Sequence, residues 1–245
     1  SLGEVRAAAR LVLRTYSTED HAEALTLCRH VLGTARKDTG LNPVRMAADF
    51  LPIGIREACD ILVTLGLARK DGKEFVLLGL RDKNAFFFLS GGWLELVCHE
   101  ALSLALPDRD VEINAGIRWF PESRRPEAEA DVLFVHGGCL RLVSCKNDWD
   151  DERVFAHLRE LRALVAEMGE GFVRPTLIST RPLTDREKSR AFSYEIGAFY
   201  GPPLLEALRA DLDGKTGTFL SALLERGHGA PGPGRRSGAQ GNPIA

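Results

Sequence analysis

The sequence predicts an α/β protein in which helices flank a mixed β-sheet. After residue 90, strands and helices alternate, as is typical of sheets whose strands are joined by crossover helices. Two apolar, β-branched runs, 129–136 and 139–146, flank the pair Gly137-Gly138 and indicate a hairpin, because a two-residue turn of this type needs positive φ at both positions. The composition is that of an ordinary globular protein: 245 residues, 44% hydrophobic and 27% charged, with a net charge of −2.

Residues 1–84 are predicted to form a helical, winged-helix-like domain. The predicted elements are helices over 2–15, 17–33, 44–50 and 55–65, followed by a hairpin over 67–78 that turns at Asp71-Gly72. In a winged-helix domain the hairpin is the wing, and its basic side chains would contact phosphates: Arg69, Lys70 and Lys73. A packing or dimerisation module is the alternative, because the second helix offers Arg56 as its only basic side chain.

Residues 85–226 carry the predicted α/β domain. Its predicted elements are a helix over 93–106, a strand over 111–119, the hairpin over 129–146, a helix over 152–168, a strand over 173–179, a helix over 184–194, a strand over 197–200, and helices over 203–212 and 216–226. Thr184 with Glu187 three residues later is the signature of a capping box. Pro175 predicts an early or edge position in its sheet. Residues 227–245 are rich in Gly and Pro and are predicted to be disordered, since they cannot bury a core.

The open end of the predicted hairpin gathers charged side chains. With Gly137-Gly138 as the whole loop, Asp131 falls opposite Ser144 and Glu129 falls opposite Lys146. Directly paired side chains share a face and lie about 5 Å apart. A third acid, Glu95, lies in the first turn of the helix over 93–106, where an interaction with the helix dipole is the alternative explanation. Clustered carboxylates with a lysine are what a metal-dependent phosphodiesterase needs, because hard divalent cations prefer oxygen ligands.

Three blocks of the sequence resemble the CRISPR-associated CARF-domain nucleases, a family of PD-(D/E)xK effectors activated by cyclic oligoadenylate. The blocks are Gly91-Gly92-Trp93-Leu94-Glu95, Glu129-Ala130-Asp131-Val132-Leu133-Phe134 and Ser144-Cys145-Lys146. The resemblance covers roughly residues 85–212 and implies a restriction-endonuclease-like fold with Glu95, Asp131 and Lys146 as catalytic residues. It also implies that Glu95, Asp131 and the backbone carbonyl of Cys145 hold Mg²⁺ or Mn²⁺.

The same resemblance implies partners. Family members cleave DNA, and in some cases RNA, as homodimers gated by cyclic tetra-adenylate. The sensor is a CARF domain, which is not visible in this chain and is expected to be cut away or replaced. Because the net charge is −2, nucleic acid would have to meet local basic patches, for which the loop residues Arg124 and Arg125 are further candidates.

The cellular setting predicted from the sequence is the cytoplasm. No apolar run reaches the length of a membrane span, so no contact with a membrane is expected. The five cysteines form no CxxC pair and indicate buried thiols in a reducing compartment.

Ser144 is where this chain departs from the family, which has Glu or Asp two residues before the lysine. A hydroxyl is a poor replacement for a carboxylate on Mg²⁺ or Mn²⁺, so the site lacks one anionic ligand unless Glu129 or Asp148 supplies it. If neither does, Glu129 and Lys146 form an ion pair, and the domain is an inactive nuclease fold that binds nucleic acid or scaffolds a partner. A winged-helix DNA-binding regulator is the third interpretation.

Overall fold

The computed structural model describes residues 6, 9–10, 12–13, 44–47, 49, 56, 60, 63, 68–77, 91–117, 128–146, 151–169 and 171–226. Their strands and helices, in chain order, are β1 (Val44–Ala47), β2 (Ala68–Asp71), β3 (Glu74–Leu77), α1 (Trp93–Ala105), β4 (Val111–Ile117), β5 (Ala128–His136), β6 (Cys139–Lys146), α2 (Asp151–Met168), β7 (Val173–Ser179), α3 (Asp185–Ser193), β8 (Gly197–Tyr200), α4 (Gly201–Leu212) and α5 (Thr218–Arg226).

The larger sheet has the strand order β4-β5-β6-β7-β8. The pairs β4–β5 and β5–β6 are antiparallel, whereas β6–β7 and β7–β8 are parallel. The two parallel connections contain α2 and α3, because parallel neighbours need a long crossover. The predicted fold class, a mixed sheet flanked by helices, is confirmed.

The hairpin between β5 and β6 has the predicted turn and register. Gly137 and Gly138 have φ values of 59° and 74°, a conformation that side chains with a Cβ rarely adopt. His136 pairs with Cys139, and the register continues without a slip to Val132 and Val143. This register decides which side chains meet at the open end of the hairpin.

Two hydrophobic clusters cover the two faces of the sheet. The first joins the sheet to α1, α4 and α5, with Trp93, Phe134 and Phe199 among its fully buried side chains. The second joins the sheet to α2 and α3 through residues such as Leu142 and Leu158. The sheet is therefore the middle layer of three.

Helix α1 is fixed to the sheet by an apolar face and by a polar contact of His99. Its buried residues include Leu94, Val97 and Cys98. His99 Nε2 lies 2.9 Å from the carbonyl oxygen of Val111 at the start of β4. These contacts lie within one turn of Glu95, so they also fix where that carboxylate meets the sheet.

The end of β6 is held by the segment that follows β7. The backbone N–H of Thr180 donates to the carbonyl of Lys146 at 3.4 Å. Next to it, Arg181 and Glu187 form a buried ion pair, and Glu187 completes the predicted capping box with Thr184. Pro175 lies early in an interior strand: it pairs with Leu142 of β6 and precedes the part of β7 that pairs with β8. Of the two positions predicted for this proline, the early one is correct and the edge one is wrong.

The prediction of a helix over 44–50 is wrong at its start. Val44–Ala47 is strand β1, which pairs antiparallel with β3 in a three-stranded sheet of order β1-β3-β2. Pairing with the open edge of β3 outweighs a weak helical pattern, since strand formation depends on neighbouring strands more than on local preference. The predicted hairpin is present, but its loop is Gly72-Lys73, one residue later than predicted.

Other parts of the N-terminal prediction agree with the described residues or fall outside them. Arg56, Asp60 and Val63 are helical, as expected for the helix over 55–65. Ala9, Val12 and Leu13 are buried in the first cluster, together with residues of α1 and α4. The predicted helix over 17–33 and the predicted disordered tail over 227–245 lie outside the described residues. None of the helices that the structure describes is long and apolar enough to span a membrane.

Candidate active site

Asp131 is the centre of the polar cluster at the open end of the hairpin. Its Oδ2 atom accepts hydrogen bonds from Ser144 Oγ at 3.2 Å, from the Cys145 backbone N–H at 2.7 Å and from Lys146 Nζ at 3.1 Å. The predicted opposition of Asp131 and Ser144 is thus observed as a direct contact. All three donors reach the same oxygen, which leaves Oδ1 as the oxygen that a cation could take.

The strands β5 and β6 stop pairing through their backbones where Asp131 begins. Their last described pair is Val132 with Val143, after which the Asp131 side chain binds the N–H of Cys145 in place of a backbone carbonyl. In an extended strand the N–H and C=O of one residue point to the same side. The carbonyl of Cys145 therefore lies on the side of β6 that faces β5, the same side as its N–H.

Lys146 forms an ion pair with Asp131. The register of the hairpin alone had suggested Glu129 as its partner. The Lys146 and Asp131 side chains are only 21% and 17% exposed. Burial by itself lowers the pKa of Lys146, but the charge of Asp131 and the hydrogen bond to it outweigh this effect and raise the pKa. The lysine is therefore a fixed cation at neutral pH.

Glu95 brings a second carboxylate to the cluster from α1. Burial is the main cause that raises the pKa of Glu95 to about 8. The negative charges of Asp131 and Glu129 contribute to this rise, and the charge of Lys146 opposes it. With the Asn114 amide nitrogen facing the acids, that nitrogen lies 2.8 Å from Glu95 Oε2 and 3.2 Å from Glu129 Oε1. Three acids from α1 and β5 thus lie at the open end of the hairpin, and Lys146 pairs with one of them, Asp131.

Cys145 can take part through its backbone only. Burial raises the pKa of the Cys145 thiol well above its usual value, and a hydrogen bond with Cys98 adds to the effect. A neutral, buried thiol is neither a nucleophile nor a ligand for a hard cation. The contact with Cys98 instead joins β6 to α1 beside the cluster.

The cluster fits a hard divalent cation in its chemistry, although its acids stand apart. Glu95, Asp131, Glu129 and the Cys145 carbonyl are all oxygen donors, the type that Mg²⁺ and Mn²⁺ prefer. Among the described residues, no three Asp, Glu, His or Cys side chains already stand close enough to hold an ion. The Asn114 amide bridges Glu95 and Glu129, whereas Lys146 neutralises Asp131, so the three carboxylates do not converge on one point.

Two of the three basic residues predicted for the wing are engaged by acids. In the wing, Lys70 pairs with Asp60 at 2.6 Å and Lys73 pairs with Asp49 at 3.0 Å, while Arg69 is exposed. Paired lysines offer less charge to a phosphate than free ones, which weakens the case for a DNA-reading wing. Arg124, Arg125 and Asp148 lie outside the described residues.

Asn114 is the site residue that sequence reasoning missed. In the predicted strand over 111–119 it occupies a polar position between Glu112 and Gly116, as any solvent-facing residue would. Its one signal is the residue type, because asparagine tolerates a left-handed backbone better than most residues do.

The fold and the site define a nuclease-type α/β protein: a mixed sheet with a strand acid and a lysine on one hairpin and a further acid on the neighbouring helix. Residues 82–216 match the family described as "Card1-like, endonuclease domain". The chain belongs to this family, which confirms the resemblance to CRISPR-associated nucleases drawn from the three sequence blocks.

Two solved structures share the fold. Protein VC1899 from Vibrio cholerae superposes with a TM-score of 0.66 at 21% identity, covering 88% of this chain and 57% of the other. Can2 from Sulfobacillus thermosulfidooxidans, solved in complex with cyclic tetra-adenylate, gives a TM-score of 0.52 at 19% identity, covering 80% of this chain and 56% of the other. The chain therefore spans little more than half the length of either protein. No curated protein matches the sequence.

The raised pKa of Glu95 predicts how stability varies with pH. The folded protein holds a proton on Glu95 up to about pH 8, whereas the unfolded chain releases it near the ordinary value of 4.5. Folding stability should therefore fall as the pH rises from 4.5 to about 8. Glu95→Gln removes this component, so thermal unfolding in EDTA should show a smaller loss between pH 5 and pH 8.5 than in the wild type. The control is Glu206→Gln, which changes an exposed acid and should follow the wild type. If the stability of Glu95→Gln varies with pH as that of the wild type does, the raised pKa of Glu95 is contradicted.

Proposed function

We propose that this chain is a metal-dependent endonuclease that hydrolyses phosphodiester bonds. The observation that carries the proposal is the cluster itself: Asp131 is held by Lys146 and by the backbone of Cys145, with Glu95 and Glu129 beside it. Membership of an endonuclease-domain family supports the same reaction class.

The carboxylates would hold Mg²⁺ or Mn²⁺, and each residue of the cluster has a proposed role. Asp131 and Glu95 are the proposed metal ligands, with Glu129 and the Cys145 carbonyl completing the set. A bound divalent ion supplies a polarised phosphoryl oxygen and a water of lowered pKa. Lys146 is the proposed catalytic cation: it orients Asp131 before substrate arrives and is placed to stabilise negative charge on the phosphate during cleavage.

The proposed substrate is DNA, with RNA as the second candidate. Both present the same phosphodiester group to a site of carboxylates and one lysine, and the described contacts favour neither sugar. Can2 is in complex with cyclic tetra-adenylate in its solved structure. We propose by analogy that this chain is the effector part of an antiviral protein that works as a homodimer. A cyclic oligoadenylate would then gate it through a sensor domain outside the chain.

A catalytically inactive nuclease fold is the second candidate function. It is favoured by Ser144, which donates a hydrogen bond to Asp131 where family members have a carboxylate. Such a domain would bind nucleic acid or scaffold a partner without cleaving. Both candidates share the fold and differ only in the response to metal.

The experiment that separates them is cleavage with controlled metal. The purified chain is incubated with plasmid, single-stranded DNA and single-stranded RNA in Mn²⁺, Mg²⁺, Ca²⁺ or EDTA, and Mn²⁺ binding is measured by calorimetry. The proposed nuclease cuts in Mn²⁺ or Mg²⁺ and is silent in EDTA. Binding of nucleic acid with no cleavage in any metal would favour the inactive fold.

A further inference from the structure

Asn114 has an unusual backbone for a residue in the middle of a strand. Its φ is 51°, one of two positive values among the non-glycine residues that the structure describes. It would stand opposite Asp131, since Ile113 pairs with Val132 and Ala115 pairs with Ala130, yet that one pair is missing from the ladder. A left-handed residue in a strand is strained and is kept only where its surroundings hold it there.

The strand exchanges faces at this residue. Ile113 packs with the first hydrophobic cluster, whereas Ala115 packs with the second, although alternate residues of a regular strand share one face. The partner strand does the same: Val132 belongs to the first cluster and Ala130 to the second. Asn114 and Asp131 are therefore the two residues at which β4 and β5 cross over together.

The crossing lets the Asn114 amide reach two acids. When the amide is oriented so that its nitrogen faces the acids, which is the orientation that satisfies both, that nitrogen lies 2.8 Å from Glu95 Oε2 on α1 and 3.2 Å from Glu129 Oε1 on β5. The amide donates one hydrogen to each, which is its full donor capacity. Two acids from different elements are thus held side by side by one amide, next to Asp131.

We propose that Asn114 is a positioning residue that clamps Glu95 to Glu129, so that Glu129 provides the carboxylate that is missing at position 144. The proposal rests on the proposed metal-dependent function and adds to it the origin of the replacement ligand. Register alone places Glu129 opposite Lys146, but Lys146 is engaged by Asp131. The Asn114 amide explains why Glu129 joins Glu95 instead.

The test is a double-mutant cycle between Asn114→Gly and Glu129→Gln. Glycine removes the amide and fits a positive φ without strain, so the strand keeps its path. Affinity for Mn²⁺ is measured by calorimetry for the wild type, both single variants and the double variant. We expect Asn114→Gly to weaken Mn²⁺ binding about tenfold or more, the range found when a partner of a metal ligand is lost. In the Glu129→Gln background the same substitution should weaken it less than about twofold, since residues that act through one another are not additive.

The control is Glu112→Gly, which introduces glycine two residues away at an exposed position of the same strand. It should leave Mn²⁺ affinity unchanged. Two results would overturn the clamp while leaving the metal site intact. The first is that Asn114→Gly weakens Mn²⁺ binding equally in the wild-type and Glu129→Gln backgrounds. The second is that the wild type binds Mn²⁺ and Asn114→Gly binds it equally well.

If the wild type binds no Mn²⁺, the proposed function fails and the metal-free cycle decides on the clamp. Denaturation midpoints of the same four proteins in EDTA are then compared. Non-additive shifts support the contact between Asn114 and the two acids. Additive shifts overturn it.

Discussion

Replacing Asp131 by asparagine is expected to lower Mn²⁺-dependent cleavage by about 100-fold or more, the usual effect of removing a group that holds charge at the reaction centre. Asparagine keeps the size and one acceptor oxygen, so the hydrogen bonds from Ser144 and Cys145 can persist. What is lost is the negative charge that would bind the metal and that pairs with Lys146. Initial rates on plasmid and on single-stranded DNA measure the effect.

The matched control is Asp185→Asn, which changes an exposed acid on α3 in the same way and should cleave like the wild type. Lys146→Met is the partner variant. It keeps the apolar stem of the side chain and removes the cation, and it should be as inactive as Asp131→Asn. Equal cleavage by wild type, Asp131→Asn and Lys146→Met would show that the activity does not arise at this site.

Restoring a carboxylate with Ser144→Glu is expected to act in opposite directions without and with metal. Ser144 Oγ already lies 3.2 Å from Asp131 Oδ2, so a glutamate there adds a negative charge beside an existing one. In EDTA the repulsion should lower the melting temperature, because like charges in a partly buried site destabilise the folded state. In Mn²⁺ the extra ligand should raise the affinity about 10- to 100-fold, so the metal-induced rise in melting temperature should exceed that of the wild type.

Ser144→Gln separates charge from size in this experiment. It has the length of glutamate without the charge, and it should show neither the loss in EDTA nor the gain in Mn²⁺. A Ser144→Glu protein that gains nothing from Mn²⁺ would mean that position 144 does not face the metal. A large gain in cleavage would show that Glu129 replaces the carboxylate missing at position 144 only in part.

Half of the candidate site could be predicted from the sequence because it lies on one hairpin. Two glycines fixed the turn, the turn fixed the register, and the register placed Ser144 beside Asp131. The parting of the strands could not be predicted, because it depends on the Asp131 side chain taking the N–H of Cys145. A continued register predicted Lys146 opposite Glu129, whereas in the structure Lys146 forms an ion pair with Asp131.

The remaining differences also arise from contacts between distant parts of the chain. Asn114 matters because of its left-handed backbone and its two acidic neighbours, and neither is visible in a strand pattern. Strand β1 forms by pairing with the edge of β3, and the local pattern of residues 44–47 does not reveal this pairing. Helices with clear signals were predicted well, as with the capping box of Thr184 and Glu187.

The hairpin also has a consequence for the order in which the site assembles during folding. Lys146 and Asp131 are only 15 residues apart, so their contact closes a short loop and forms with little loss of chain entropy. Glu95 must arrive from another element, and it depends on α1 docking against the first hydrophobic cluster. Contacts at short sequence separation tend to form earlier than those that need a long loop to close. A chain that has folded only its hairpin therefore holds Lys146 together with Glu129 and Asp131, and the cluster gains its third acid, Glu95, only when the helix docks.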